Sequence, residues 1–312
     1  MRCDSLSIYA VVLNWNRYRD TWECVESLLG SSCPPDAIVL VDNGSTDASP
    51  DRLRRAWDHH KHIRLLENKE NQGFARAANQ GIRYSLSNGA ALVFLLNNDA
   101  IVERSCIQLL VSSLSEHPEA GVAGPRIMYD SDRDRIWQSG GHFSLLKSGV
   151  VSPHKNRLQS LSASENRYAR RVGYLTGCAM LVRRAVFEEV GYFDEDFFLY
   201  GEDVDFCLRA SRSGYQLINV PRAVAWHKIR GIARDRTSPL VLYHLARSRL
   251  LMLRKRFSAP YYLYGLVVHV LAFTPYRMLQ IVRGSRSIDA ARAWMAGTRD
   301  GITGAWRDDV GP

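Results

Sequence analysis

A series of short apolar runs, each followed by polar residues, constrains the fold of this chain more than any other feature. Runs of this length without regular polar alternation are typical of strands that are buried on both faces of a parallel sheet. The runs and the polar residues that follow them are 8–13 with Asn14, 37–41 with Asp42, the shorter run 63–66, and 91–96 with Asn97, Asn98 and Asp99.

Segments with helical spacing of apolar residues separate these runs, most clearly at residues 18–29 and 74–86. Strands that alternate with helices predict βαβ units, and therefore an α/β fold with a mostly parallel sheet and flanking helices. Such sheets bind ligands at the carboxyl ends of their strands. Because the polar clusters follow the strands at those ends, we expect them to form a functional site.

The motifs of several common enzyme classes are absent from the sequence. No GxGxxG or GxxxxGK[ST] segment follows a strand, which argues against a dinucleotide-dependent oxidoreductase and a P-loop enzyme. No GxSxG or Cys–His signature of a nucleophilic hydrolase occurs either. The polar clusters at the strand ends are therefore the main candidates for function.

Two of these candidates are loop segments that come before helices. Asp42 opens a turn that contains Gly44, and its carboxylate can accept hydrogen bonds from a nucleoside or a sugar hydroxyl; alternatively, it caps the next helix. Gly73, Asn79 and Gly81 mark a second loop-to-helix junction. Glycine at such a junction permits the close approach of a ligand.

Two further candidates suit a metal ion. Asp99 follows a fully apolar strand, where a carboxylate beside a diphosphate can bind Mg²⁺ or Mn²⁺. The alternative is a helix cap before Ala100. His227 follows the apolar run 223–225 and Trp226, and it is either a metal ligand or a structural hydrogen-bonding residue.

Glu202, Asp203 and Asp205 crowd four positions, and three carboxylates at that spacing repel each other unless a cation, a proton or a helix N-terminus relieves them. One of them could act as a general base toward an acceptor hydroxyl. The alternatives are acids that favour the first turn of the helix that follows, or acids that are simply solvated.

The order of these motifs along the chain resembles the family 2 glycosyltransferases, and within them the rhamnosyltransferase branch. The resemblance covers residues 7–256 and is carried by the segments VVLNWNR, VDNGSTDAS, ENQGFARAANQGI, LLNNDA, GYLTGCAMLVRRAVFEEVGYFDEDFFLYGEDVDFCLRA and AWHKIRG.

The resemblance implies a GT-A fold, in which a Rossmann-like nucleotide-binding sheet is joined to an acceptor-binding part, and inversion at the anomeric carbon. It assigns Asp42 to the nucleoside and the segment around Asn14 to the loop that lines the base. Asn97, Asn98 and Asp99 match the family's DxD-type motif, in which Asn97 replaces the first aspartate. Asp99 is then the metal ligand, and Asn98 can bind ribose or phosphate.

The same resemblance assigns the remaining roles. Asp203 matches the presumed catalytic base of the family's ED motif, and Glu202 helps to orient the acceptor. His227 matches a histidine that often joins the site of the metal and the diphosphate. The implied cofactor is a divalent metal, either Mg²⁺ or Mn²⁺.

We expect a catalytic domain over residues 1–240, with a nucleotide-binding part at about 1–128 and an acceptor-binding part at about 129–240. Residues 129–170 show no clear period and are expected to be long loops, with a flexible lid as one possible role. A basic and apolar helical region follows at 241–312.

The C-terminal region suits a membrane surface. The formal net charge is +9, and residues 247–286 contain basic side chains without an acidic one, which favours an anionic membrane over nucleic acid. Residues 258–276 carry no charge and approach the ~20 residues that span a bilayer, but Pro260, His269 and Pro275 argue against a clean span. We expect an in-plane or re-entrant anchor on the cytoplasmic leaflet; a buried core helix, a dimer face and a true span stay open.

A cytoplasmic location, on the inner face of the cell membrane, is the corresponding expectation, because no long apolar run of the kind found in signal peptides follows Met1. The six cysteines form no CxxC pair and are expected to be buried thiols in a reducing compartment.

The function that these features favour is transfer of a sugar from a nucleotide-sugar to a hydroxyl of a glycan or polyprenyl-diphosphate-linked glycan, in surface polysaccharide biosynthesis. The favoured donor is dTDP-L-rhamnose. A UDP-hexose donor, a degenerate sugar-nucleotide or membrane-binding module, and a nucleotidyltransferase are alternatives. The last of these lacks support because no glycine- and basic-rich loop follows the first strand.

Overall fold

A ten-stranded sheet forms the framework of the chain, and the computed structural model describes residues 6–159, 168–229, 238–284 and 287–305. Strands β1 to β4 are mutually parallel and lie in the order β4-β1-β2-β3. The strands are β1 (Ile8–Asn14), β2 (Ala37–Asp42), β3 (Ile63–Glu67), β4 (Leu92–Asn97), β5 (Ala100–Val102), β6 (Ala120–Tyr129), β7 (Ile136–Gln138), β8 (His142–Ser144), β9 (Gly149–Val151), β10 (Arg170–Val172), β11 (Ala179–Arg183) and β12 (Gln216–His227).

The other half of the sheet continues in the order β11-β6-β12-β10. Strand β11 is antiparallel to both β4 and β6, whereas β6 and β12 are parallel to each other. Strands β5 and β7 pair with β12 and β6, and β8 and β9 form a separate hairpin. The predicted α/β class with a mostly parallel sheet is confirmed.

Helices cover both faces of the sheet, which explains the unbroken apolar runs. Val12 of β1 packs in one core with Val25, whereas Val11 packs in the other with Ile82. A Cβ atom on Gly81 would lie 2.4 Å from Val11, so glycine lets its helix approach β1 closely. The helices are α1 (Tyr18–Leu29), α2 (Ser49–Trp57), α3 (Phe74–Ser87), α4 (Cys106–Glu116), α5 (Arg184–Val190), α6 (Glu202–Arg212), α7 (Pro239–Arg256), α8 (Ala259–Val268), α9 (Thr274–Arg283) and α10 (Ile288–Thr303).

The segment expected to consist of long loops contains β7, β8 and β9. The tip of the β8–β9 hairpin rests on α8, where the hydroxyls of Tyr261 and Tyr264 donate to the carbonyl oxygens of Leu145 and Leu146 at 2.6 and 2.7 Å. Residues 160–167, which belong to the suggested lid, lie outside the described part of the chain.

The C-terminal helices pack on each other and on the catalytic part. Gly297 and Gly301 of α10 face the backbone of α7, where added Cβ atoms would lie 2.2 Å from the Tyr243 oxygen and 2.8 Å from the Arg247 oxygen. A π-helical turn joins α8 to α9, so that residues 259–283 form one continuous helix. This helix is long and apolar enough to cross a membrane by length and composition, and 17% of its most apolar window is buried.

The described cysteines follow the expectation of buried thiols with one exception. Cys24, Cys106, Cys178 and Cys207 are free and buried. Cys33 is disulfide-bonded, so the expectation of a free thiol is wrong at that position.

Candidate active site

A cavity of about 900 Å³ opens at the carboxyl ends of β1 and β4, where the polar clusters of the sequence lie. Its other walls come from α6 and from the C-terminal helices α7, α9 and α10. The structure therefore brings together strand ends and a C-terminal region that are far apart in sequence. The expected site residues on its wall are Asn14, Gly73, Asn98, Asp99, Glu202, Asp203 and His227.

Asp99 and His227 meet because β5 pairs with the end of β12. Ala100 lies opposite His227 in that antiparallel ladder, which excludes a helix cap as the role of Asp99. The His227 Nε2 and Asp99 Oδ1 atoms are 3.0 Å apart, and both residues are buried. Burial lowers the pKa of His227, but Cys178 and Asp99 outweigh burial and raise the pKa to about 10.

The chemistry of this pair fits a divalent cation. A carboxylate oxygen and a deprotonated imidazole nitrogen are ligands that Mn²⁺ accepts, and binding of the cation would release the proton that the raised pKa keeps on His227. The Nδ1 atom of His227 is buried and has no hydrogen-bond partner within the described residues. Those residues contain no group of three or more His, Cys, Asp or Glu side chains that could hold a metal. The pair would leave coordination positions for phosphate oxygens and water, as is usual for Mg²⁺ and Mn²⁺ at diphosphates.

A chain of polar side chains fixes the wall beside this pair. Asn98 donates to the Thr21 hydroxyl at 2.9 Å, and that hydroxyl donates to Asn14 Oδ1 at 2.6 Å. The Asn14 amide in turn donates to Asp42 Oδ2 at 2.6 Å, and Ser45 donates to the same oxygen at 2.7 Å. Asp42 is 1% exposed, so its carboxylate orients Asn14 and the turn from behind the cavity wall.

Gly44 and Asn79 also support the wall from behind. A Cβ atom on Gly44 would lie 2.2 Å from the backbone of Glu70, and its φ of +72° favours glycine. The Asn79 amide donates to the Phe193 carbonyl at 2.9 Å, and its oxygen accepts from the Phe193 N–H at 3.0 Å. Asn43, which the sequence reasoning missed, lies on the cavity wall instead.

Two further acidic candidates on the cavity wall, Glu202 and Asp203, lie at the start of α6. Tyr200 and Gly201 come directly before the helix and have φ values of +64° and +94°. A left-handed conformation at a non-glycine residue such as Tyr200 is costly and is concentrated at functional sites. The turn delivers Glu202 and Asp203 into the cavity.

Asp203 is held in place by hydrogen bonds to both of its carboxylate oxygens. Its Oδ2 atom accepts from the Tyr174 hydroxyl at 2.8 Å and from the Gly177 N–H at 3.0 Å, and its Oδ1 atom accepts from the Val204 N–H at 2.8 Å. Burial raises the pKa of Asp203, and these bonds to the carboxylate oppose the rise. A carboxylate that is fixed in place and more basic than usual is suited to accept a proton.

Glu202 and Asp205 have different surroundings. Burial, followed by repulsion from Asp203, raises the pKa of Glu202 well above its ordinary value, and its Oε2 atom has no hydrogen-bond partner in the described part of the chain. Asp205 turns away from the cavity and forms ion pairs with Arg209 and Arg256. The structure therefore separates the three crowded acids into two cavity residues and one structural residue.

A mostly parallel sheet, with an acid–imidazole pair and a fixed basic carboxylate across one cavity, fits a GT-A glycosyltransferase. Residues 9–191 match the family model described as "Glycosyl transferase family 2". The chain belongs to this family, and it is an enzyme that transfers glycosyl groups.

Rhamnosyltransferases are among the relatives of this chain. It is 33% identical over 229 residues to the N-acetylglucosaminyl-diphospho-decaprenol L-rhamnosyltransferase of Mycobacterium tuberculosis, covering 67% of this chain and 72% of that protein. It is 27% identical over 307 residues to the dTDP-rhamnosyl transferase RfbF of Shigella flexneri, covering 96% of each.

Solved structures share the fold. A Pyrobaculum calidifontis mannosyltransferase in complex with GDP-Man and Mn²⁺ superimposes with a TM-score of 0.59 at 16% identity, over 97% of this chain and 88% of that one. GalNAc-T7 with UDP, GalNAc and Mn²⁺ gives 0.60 at 16% identity, over 80% of this chain and 48% of that one. Both neighbours contain Mn²⁺, consistent with a divalent metal in this enzyme.

Proposed function

We propose that the enzyme transfers L-rhamnose from dTDP-L-rhamnose, with inversion, to a hydroxyl of a lipid-diphosphate-linked glycan. The observation that carries the donor assignment is the similarity to two rhamnosyltransferases, one of which aligns over nearly the whole chain. The printed name of the other relative supports the acceptor class. Cell-surface polysaccharide biosynthesis on the cytoplasmic face of the membrane is the corresponding setting.

The residues of the cavity support a direct displacement. Asp203 removes the proton of the acceptor hydroxyl as its oxygen attacks the anomeric carbon, and the bond from that carbon to the diphosphate breaks. The Glu202 carboxyl, whose raised pKa favours the neutral form, donates a hydrogen bond that orients the acceptor.

Asp99 and His227 would hold a divalent metal, Mg²⁺ or Mn²⁺, at the donor diphosphate. When bound, such a metal neutralises the charge that develops on the leaving group. Asn14 and Asn98 line the nucleotide side of the cavity, and Asp42 keeps Asn14 in position.

An exposed apolar surface supports a lipid-linked acceptor. The hairpin tip and the continuous helix over residues 259–283 expose apolar side chains next to each other, including Leu146 at 77% and Leu271 at 72%. The opposite side of the helix is packed on protein, because His269 and Ile281 are buried. A helix with one packed and one exposed face supports an anchor in the plane of the membrane rather than a lipid-surrounded span.

A thermal-shift screen against nucleotide-sugars, with and without Mn²⁺ or Mg²⁺, tests the donor. A ligand at about 100 times its Kd stabilises the native state by about 2.7 kcal/mol. We expect a metal-dependent shift with dTDP-L-rhamnose and transfer of rhamnose in a follow-up assay. A shift and transfer with a UDP-hexose alone would replace the proposed donor. No shift with any nucleotide-sugar would point either to a donor site that only the acceptor or the membrane completes, or to a degenerate binding module.

Liposome flotation tests the membrane surface. We expect the enzyme to float with anionic liposomes at low salt, and a Leu146→Glu/Leu271→Glu variant to stay at the bottom of the gradient. Leu158→Glu is the matched control, because this leucine is 38% exposed outside the apolar surface. A wild-type enzyme that does not float, or a double variant that floats normally, contradicts the proposed anchor.

A further inference from the structure

Two arginines lie on the cavity wall that the C-terminal helices build, outside the sites assigned above. Arg249 belongs to α7 and Arg277 belongs to α9. The strand ends and α6 contribute acidic side chains to the cavity. The C-terminal helices instead contribute these two positively charged side chains, which lie among aromatic rings. The mechanism described above uses neither arginine.

Arg249 is a largely buried cation without a carboxylate partner in the described residues. Its Nη2 atom donates to the Lys147 carbonyl oxygen at 3.0 Å, and its guanidinium carbon lies 3.7 Å from the centre of the Phe273 ring. Its Nε atom has no hydrogen-bond partner among those residues. Burial lowers the pKa of Arg249 to about 10. A buried guanidinium is costly unless an anion or good hydrogen-bond acceptors compensate it.

Arg277 lies one helical turn after Phe273 and therefore on the same side of the helix as the ring that Arg249 covers. It donates to the Gln280 side-chain oxygen at 2.7 Å and lies 5.7 Å from the centre of the Trp294 ring. His269 stacks on Trp294, with the two ring centres 5.2 Å apart. Burial and Arg249 lower the pKa of His269 to about 4, so the imidazole is neutral at physiological pH.

The position of the arginines suits an anionic group that arrives from the membrane. The continuous helix over 259–283 carries Arg277 and Phe273 toward the cavity and exposes Leu271 on its surface. A lipid chain along that surface would place its polar head at the cavity mouth. Guanidinium groups bind phosphate oxygens in pairs of parallel hydrogen bonds, which makes them well matched to a diphosphate.

We propose that Arg249 and Arg277 bind the diphosphate of the lipid-linked acceptor and thereby select acceptors that carry one. This inference rests on the proposed function, because it concerns the acceptor of the same transfer. It adds a second diphosphate site to the cavity, distinct from the site of the donor diphosphate at Asp99 and His227. The sugar of the acceptor then lies between the arginines and Asp203.

A titration with farnesyl diphosphate, followed by tryptophan fluorescence, tests this site without any sugar donor. Trp294 lies under Arg277 and serves as the reporter. We expect saturable binding to the wild-type enzyme and at least tenfold weaker binding by Arg249→Gln and by Arg277→Gln. Arg292→Gln is the matched control, because Arg292 is 77% exposed on α10 and is expected to leave the affinity unchanged.

Three comparisons make the result specific. Farnesol, which lacks the diphosphate, should bind at least tenfold more weakly than farnesyl diphosphate. The affinity of each arginine variant for dTDP with Mn²⁺ should stay within twofold of the wild-type value. Arg249→Lys should recover part of the affinity, because it restores the positive charge but not the paired hydrogen bonds.

Several outcomes would overturn the proposal. Unchanged affinity for farnesyl diphosphate in both glutamine variants would do so, provided that their melting temperatures show folded protein. An equal loss of dTDP affinity would assign the arginines to the donor diphosphate instead. Binding of farnesyl diphosphate that depends on the arginines, without rhamnosyl transfer, would refute the donor assignment and support the second diphosphate site. Rhamnosyl transfer with binding that does not depend on the arginines would refute the second diphosphate site alone.

Discussion

Replacement of Asp203 by asparagine tests the proposed base directly, because the side chain keeps its size but loses its basicity. A positioned general base contributes about 10²- to 10⁴-fold to a rate, so kcat for transfer should fall by that factor. The asparagine oxygen can still accept from Tyr174 and Gly177, but its amide group then faces the Val204 N–H. One buried donor without an acceptor costs about 1–3 kcal/mol of unfolding free energy.

The assay measures transfer to a glycan acceptor at saturating donor, together with the Kd for dTDP by calorimetry in the presence of Mn²⁺. We expect the Kd to stay within about twofold while kcat falls, since the general base acts in the proton-transfer step. Asp51→Asn is the matched control, because this carboxylate lies 63% exposed on α2. An Asp203→Asn variant that keeps more than a tenth of wild-type kcat, or that loses dTDP affinity, refutes the assignment.

Three further predictions concern the proposed metal ligand Asp99, the hydrogen bond from Tyr174 to the proposed base, and Asn79, which supports the cavity wall from behind. Asp99→Ala should remove the gain in dTDP affinity that Mn²⁺ gives, and calorimetry that shows an unchanged gain would exclude Asp99 as a ligand. Tyr174→Phe removes a hydrogen bond that lowers the pKa of Asp203, so the acidic limb of the pH profile of kcat/KM should move to higher pH. An acidic limb that stays in place or moves to lower pH would count against Asp203 as the titrating base. Asn79→Ala should cost about 1–3 kcal/mol in denaturant unfolding with little change in kcat, because the Phe193 N–H loses its buried acceptor; a large loss of kcat in a stable variant would instead indicate a direct role in binding.

The strands of the nucleotide-binding part could be predicted from the sequence because their pattern is local. Strand β1 ends at Asn14, one residue beyond the expected end, and α1 covers the expected residues 18–29. Both faces of β1 are buried, so its residues are almost all apolar and its limits are sharp. Helix α7 begins at Pro239, two residues before the expected start of the helical region at 241, because the Ser238 hydroxyl caps it by accepting from the Val241 N–H.

The site could be predicted only in part, because residue type does not reveal which way a side chain points. Asp42 and Asp99 both follow buried strands, yet Asp42 is bonded to Asn14 behind the wall while Asp99 lies on it. The pairing of β5 with β12 decides the position of Asp99, and this pairing joins residues that are far apart in sequence. Arg249 and Arg277 escaped notice for the same reason, since only the packing of the C-terminal helices brings them to the cavity.

The ion pair between Asp205 and Arg256 sets a limit on how far this polypeptide can be shortened. Asp205 is fully buried two residues after Asp203, and Arg256 comes from beyond the expected domain boundary at residue 240. A protein that stops at that boundary would keep Arg209 but lose the second counter-ion of a carboxylate that has no access to water. Truncation of the C-terminal helices, even when it is designed only to release the enzyme from the membrane, would therefore loosen α6, which carries Asp203, and disable the enzyme.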